Sequence, residues 1–182
     1  HSTSRKRTQE EFLPLLAYID ANGEMKDILF DGYLFLMSGS LPSGNAGHAS
    51  FTKSDCEWLV KTLFEEGSNI NALEKAAGQV KQALGLNGYK YKFYVSLYYP
   101  KANGFFGDLD GDGVADTLTT LEKRLQAVEY YIKIFEAELA KQNFQNIEFC
   151  GYYWYDEAAS VEENDMVLIN GVSDIVHDHG YQ

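Results

Sequence analysis

Two cysteines are too few for a disulfide framework in a chain of 182 residues. Cys56 falls near an expected helix start and Cys150 inside an expected strand, and free buried thiols are the ordinary state of such residues. Basic residues are also scarce: 15 Lys and Arg face 27 Asp and Glu, a net charge of −12. A surface of that sign repels phosphate, so nucleic acid is excluded as a partner. The one basic cluster, Ser4-Arg5-Lys6-Arg7, reads as part of a solvated tail. No stretch is long and apolar enough for a membrane helix, so no membrane association is expected. No Gly-rich phosphate fingerprint follows an expected strand, which removes the main signal for nucleotide binding.

What the sequence does contain is a dense acidic loop, Asp108-Leu109-Asp110-Gly111-Asp112-Gly113-Val114-Ala115-Asp116. Asp108, Asp110, Asp112 and Asp116 occupy positions 1, 3, 5 and 9 of a D-x-D-x-D-G-x-x-D pattern. Val114 at position 7 offers a backbone carbonyl, and Gly113 at position 6 permits a sharp turn. A hard cation collects roughly six to eight oxygens, and this alternation aims carboxylates at one point. Without a cation the four carboxylates repel one another. An acidic surface turn explains the composition less well, because turns need Asp and Gly but not this register. The spacing is similar to EF-hand, dockerin and thrombospondin type 3 calcium loops. It departs from the EF-hand at position 12, which is Thr119, with Glu122 as the nearest substitute. Calcium is the expected cofactor, in a structural role, and calcium suits a secreted or periplasmic protein.

Residues 1–11 read as a flexible N-terminal tail and residues 12–182 as a single α/β domain. Phe12 to Asp20 reads as a strand with Pro14 near its start, followed by an Ala21-Asn22-Gly23 turn. Ile28 to Met37 is an apolar run suited to a strand buried on both faces. Ser38 to Ser50 is a Gly- and Ser-rich loop. Ser54-Asp55-Cys56-Glu57 is a capping box that opens a helix ending near Gly67. A second helix runs from Ile70 to Leu84 and stops at Gly85. Tyr91 to Tyr99 and Ile147 to Tyr155 are further strands. Between them Thr119-Thr120-Leu121-Glu122 caps a helix with the stripe Leu121, Leu125, Val128, Ile132, Phe135 and Leu139. Ser160-Val161-Glu162-Glu163 opens a last helix.

Strands that alternate with helices imply a parallel sheet, here of about four strands with flanking helices. A closed (β/α)8 barrel needs eight strands and about 250 residues, so the pattern corresponds to the first half of one. Four parallel strands leave open edges. The chain is therefore expected to be a fragment that meets the missing half of the barrel, or to pair with a second copy.

Several stretches together carry a family resemblance: Phe30-Asp31-Gly32-Tyr33-Leu34-Phe35-Leu36, Tyr98-Tyr99-Pro100, Phe106 to Gly113, Arg124 with Ala127 to Ile132, and Gly151-Tyr152-Tyr153-Trp154-Tyr155-Asp156-Glu157. They resemble a bacterial, glycoside-hydrolase-like barrel family classified as a domain of unknown function, over about Phe12 to Gln182. The resemblance implies a TIM-type barrel, a role in polysaccharide breakdown and further strands beyond this chain. It supplies no proven reaction and no catalytic residues.

Barrel active sites lie at the C-terminal ends of the strands. Glu157 follows such an end, and in many retaining glycoside hydrolases of this fold the acid/base carboxylate sits after the fourth strand. Glu157 is the first catalytic candidate and Asp156 the local second. The alternative for Glu157 is a loop carboxylate near a helix start, favoured by the helix dipole. Tyr99, Trp154 and Tyr155 are the candidates for stacking on sugar faces, whereas most strand aromatics belong to the core. Asp31 reads as a buried carboxylate paired with Arg124 or a backbone group. His177 and His179 suit a helix C-terminus better than a metal, and His48 lies in a Gly-rich loop. The expected function is a glycoside-hydrolase-like protein acting on polysaccharide. The alternatives are a non-catalytic carbohydrate-binding module and a calcium-stabilised structural domain.

Overall fold

The computed structural model describes residues 6–36, 41–44, 51–161 and 163–181. The chain opens not with a strand but with helix α1, Gln9–Leu16, which takes in residues 9–11 of the expected tail. The backbone N–H of Thr8 donates to Glu11 Oε2 at 3.0 Å and closes the first turn. Phe12 and Leu16, four residues apart, are buried together on one face. Pro14 lies inside this helix, where it removes one intrahelical bond. The apolar run that suggests a strand is thus helical for most of its length.

Only Ala17–Ile19 is extended (β1), and it pairs antiparallel with Met25–Ile28 (β2) across the predicted turn. This two-stranded ribbon is separate from the main sheet. The run from Ile28 onward breaks at Leu29 and Phe30, both exposed, and resumes as Gly32–Phe35 (β3). Met37 and His48 lie outside the described residues, as does most of the loop from Ser38 to Ser50.

The main sheet contains β3, Tyr91–Leu97 (β4) and Ile147–Trp154 (β7), in the order β3-β4-β7, all parallel. Three parallel strands replace the expected four, because the first expected strand is α1 and β1. In register, Tyr33 meets Phe93 and Phe93 meets Phe149; Phe35 meets Val95 and Val95 meets Tyr152. These residues share a face, on which Phe12 of α1 touches Tyr33 and Phe35 at ring distances of 6.1 and 6.2 Å. The other cover is α4, Leu121–Leu139, whose Phe135 meets Phe149 at 5.0 Å and Tyr152 at 5.9 Å. Each such ring removed from water contributes roughly 1.5–3 kcal/mol. The opposite face is barer: Gly32, Lys92 and Glu148 are exposed, and Leu34, Tyr94, Cys150 and Tyr153 are half-buried.

Helices α2, Lys53–Leu63, and α3, Asn69–Leu84, complete the core. The cap of α2 is Thr52 rather than Ser54; its hydroxyl accepts from the N–H of Asp55 at 3.2 Å. Gly85 ends α3 at φ 68°, a conformation that glycine adopts without the cost of a Cβ. Phe105–Gly107 (β5) and Asp116–Thr117 (β6) form a small antiparallel ribbon around the acidic loop. The last helix, α5, is Asp165–Asp178, and its cap is Asn164 rather than Ser160. Both cysteines are free. No helix among the described residues is long and apolar enough to cross a membrane.

Candidate functional site at the strand ends

The loop between β7 and α5 carries both catalytic candidates. Glu157 lies just past β7, exposed, with φ 52°. A side chain at that angle is uncommon outside tight turns. It borders a shallow open cleft with Tyr152, Tyr153, Trp154, Ala158 and Ile169. Asp156 and Tyr155 are half-buried, and the N–H of Tyr155 still donates to Leu97 O at 3.2 Å, continuing the sheet by one bond. The Trp154 indole meets Tyr99 edge-on at 6.0 Å.

Tyr99 is 8 % exposed and does not line this cleft. Its hydroxyl lies 2.7 Å from Glu163 Oε2 and 2.8 Å from Asp165 Oδ1. Burial raises the tyrosine pKa, and the two carboxylates raise it further. Arg124, 4 % exposed, completes the group. Its Nε donates to Pro100 O at 2.6 Å, Nη1 to Glu163 O at 2.9 Å and Nη2 to Asp165 Oδ1 at 3.1 Å. The guanidinium also sits 5.3 Å from the centre of the Tyr99 ring. Burial pushes the Asp165 carboxyl up. The Ser160 N–H, the Tyr99 hydroxyl and Arg124 outweigh that effect and hold it below the ordinary range.

The expected Asp31–Arg124 pair is therefore replaced by Asp165–Arg124, and Asp31 is exposed. The buried face of α4 runs through Arg124, Ala127, Val128, Tyr131, Ile132 and Phe135, so the predicted stripe is displaced; Leu121 is exposed. An arginine on a buried stripe requires an acidic partner, and that signal was available in the sequence. Its partner, some forty residues away in Asp165, was not. At the other end of α5, His179 is the C-cap, and its Nδ1 lies 2.8 Å from Glu136 Oε2 of α4.

The acidic loop folds largely on itself. Asp108 accepts from the N–H groups of Gly111 at 2.6 Å and Gly113 at 3.3 Å. Asp110 accepts from Asp112 N at 3.2 Å, and Asp112 from Val114 N at 2.7 Å. Asp116 accepts from Leu109 N at 2.9 Å and so joins the two ends. Carboxylate oxygens of Asp108, Asp110 and Asp116 lie within 4.8 Å of one another. Asp112 stands apart from that trio, and Val114 is 65 % exposed. An all-oxygen donor set on alternate residues fits a hard cation. Two lysines hold the loop from outside. Lys123 Nζ lies 2.6 Å from Asp116 Oδ1, and Lys53 Nζ donates to Asp108 O at 2.7 Å. The Lys123 contact, followed by the Leu109 N–H, lowers the Asp116 pKa.

The sequence matches the model of one protein family, the domain of unknown function DUF4855, over residues 1–182. No curated protein and no solved structure matches it. On that match across the whole sequence, the chain belongs to the DUF4855 family of domains of unknown function.

Proposed function

We propose that this chain is a calcium-stabilised, glycoside-hydrolase-like domain that acts on polysaccharide outside the cytoplasm. The observation that carries the reading is the cleft past β7, where Glu157 borders Tyr152, Tyr153 and Trp154. Aromatic rings offer flat apolar faces to sugar rings, and a carboxylate at their edge can accept hydroxyl hydrogens or deliver a proton. Glycoside cleavage needs a second carboxylate, about 5–5.5 Å away for retention and about 6.5–9.5 Å for inversion. Asp156, adjacent in sequence, is the candidate in this chain. Asp108, Asp110 and Asp116 would hold the calcium ion, with Asp112 and the Val114 carbonyl brought in by the register of the loop. Bound there, calcium would neutralise the loop and fix the ribbon of β5 and β6.

A second reading is favoured by the exposure of Glu157. A general acid needs a raised pKa, which burial normally provides. A non-catalytic carbohydrate-binding domain would use the same rings with no such requirement. Hydrolysis and binding of a glycan panel by the wild-type protein and by Glu157→Gln separate the two. Hydrolysis lost in Glu157→Gln with binding retained supports the enzyme; binding alone, unaffected by Glu157→Gln, supports the second reading. No binding and no hydrolysis refutes both.

A further inference from the structure

We infer that Tyr99, Arg124 and Asp165 form a latch that fixes the loop after β7, and that Trp154 and Glu157 are positioned through it. The latch joins three separate parts of the chain. Tyr99 and Pro100 lie two and three residues past the end of β4, Arg124 stands in the first turn of α4, and Asp165 is the first residue of α5. The middle of the loop, at Ser160, is tied to Asp165 at its end. Asp165 Oδ2 accepts from Ser160 N at 2.7 Å, and its own N–H donates to Ser160 O at 3.0 Å. Glu163 adds a second attachment, through Arg124 Nη1 on its carbonyl and Ala102 N on its carboxylate at 3.3 Å. At the other end, Tyr155 is tied to Leu97. The loop between these ties, with Glu157 in a left-handed conformation, is thereby held from both sides.

A buried ion pair is a poor way to gain stability, because apolar residues of the same shape often do as well. What it supplies is direction, since a planar guanidinium and a carboxylate meet in few geometries. The Tyr99 hydroxyl has one hydrogen for two carboxylates, Glu163 and Asp165. It therefore links the two loop residues without satisfying both at once. The Tyr99 ring continues the connection, edge-on to Trp154, which borders the cleft beside Glu157. Tyr99 is in this account a positioning residue rather than a ligand-stacking one. The inference holds whatever the cleft binds.

Tyr99→Phe keeps the ring and removes the hydroxyl, so it tests the latch with the least disturbance. Hydrogen exchange of amides 156–161 is expected to accelerate by at least about tenfold, the loss of a buried hydrogen bond read as local opening. Strands β4 and β7 should keep their protection. In a Trp58→Phe background, where Trp154 is the only indole, the emission of Trp154 should shift to the red. Unchanged exchange in 156–161, or equal acceleration in β4 and β7, overturns the latch. Asp165→Asn gives an independent reading with the same expected pattern; should it fail to fold, Tyr99→Phe alone decides.

Discussion

The loop after β5 and the loop after β7 both contact the first turn of α4 but are held in different ways. The acidic loop is held largely by its neighbours: its aspartate carboxylates accept from backbone N–H groups no more than seven residues away, and Lys53 adds a distant tie. The β7–α5 loop is held from a distance, by Tyr99 and Arg124, 39 to 66 residues from their partners. Local bonds leave a loop that needs little of the rest of the fold and stays solvated. Distant bonds require the sheet and α4 to be in place first. The difference teaches where each loop is vulnerable: the first to a change of ion, the second to a change in the packing of another element.

The largest expected effect falls on the distant side. Arg124→Met leaves Asp165 buried without its cation, and removal of one partner of a buried pair costs about 3–5 kcal/mol. Urea unfolding should show this loss, whereas Asp165→Asn combined with Arg124→Met should recover part of it. On the local side, calcium at a hundredfold excess over its dissociation constant should add about 2.7 kcal/mol of stability. A melting curve with calcium and with chelator measures it, and Asp108→Asn should reduce the difference. No shift in the wild-type protein would remove calcium from the account.

Acid should weaken the distant side through Asp165. The folded pKa of Asp165 is depressed, so its contribution is fully present above the unfolded value, about 3.9. It is lost as pH falls through the lower folded value. Unfolding midpoints should therefore fall at acid pH, and Asp165→Asn should flatten that fall. The smallest expected effect joins both loops. Thr120 caps α4, its hydroxyl accepting from Lys123 N at 3.2 Å, and Lys123 and Arg124 in that first turn hold one loop each. Thr120→Ala should cost about 1 kcal/mol and loosen both loops slightly in hydrogen exchange.

The same contrast explains what the sequence revealed. Local signals are legible in the sequence: the Gly85 stop of α3, strands β4 and β7, and the turn at Asn22-Gly23. The expected caps lie one residue from the observed cap at α4, two at α2 and four at α5, because several polar residues stand near each helix start. Phe12 to Asp20 suggests a strand because Pro14 and a continuous apolar run argue for one, whereas the packing of Phe12 on β3 that favours a helix exists only in the folded chain. The main parallel sheet accordingly has three strands where the sequence pattern suggests about four. Tyr99 looked like a stacking residue from its strand-end position, and nothing nearby in sequence marks Glu163 and Asp165 as its partners.

The most direct test of the central claim is a titration of soluble oligosaccharides, followed by Trp154 emission in the Trp58→Phe protein with calcium present. The account predicts a saturable change with at least one glycan, and calorimetric binding of that glycan that is lost in Trp154→Ala and retained in Glu157→Gln. Absence of any saturable change, or binding that Trp154→Ala leaves intact when measured by calorimetry, would contradict a carbohydrate site at the end of β7.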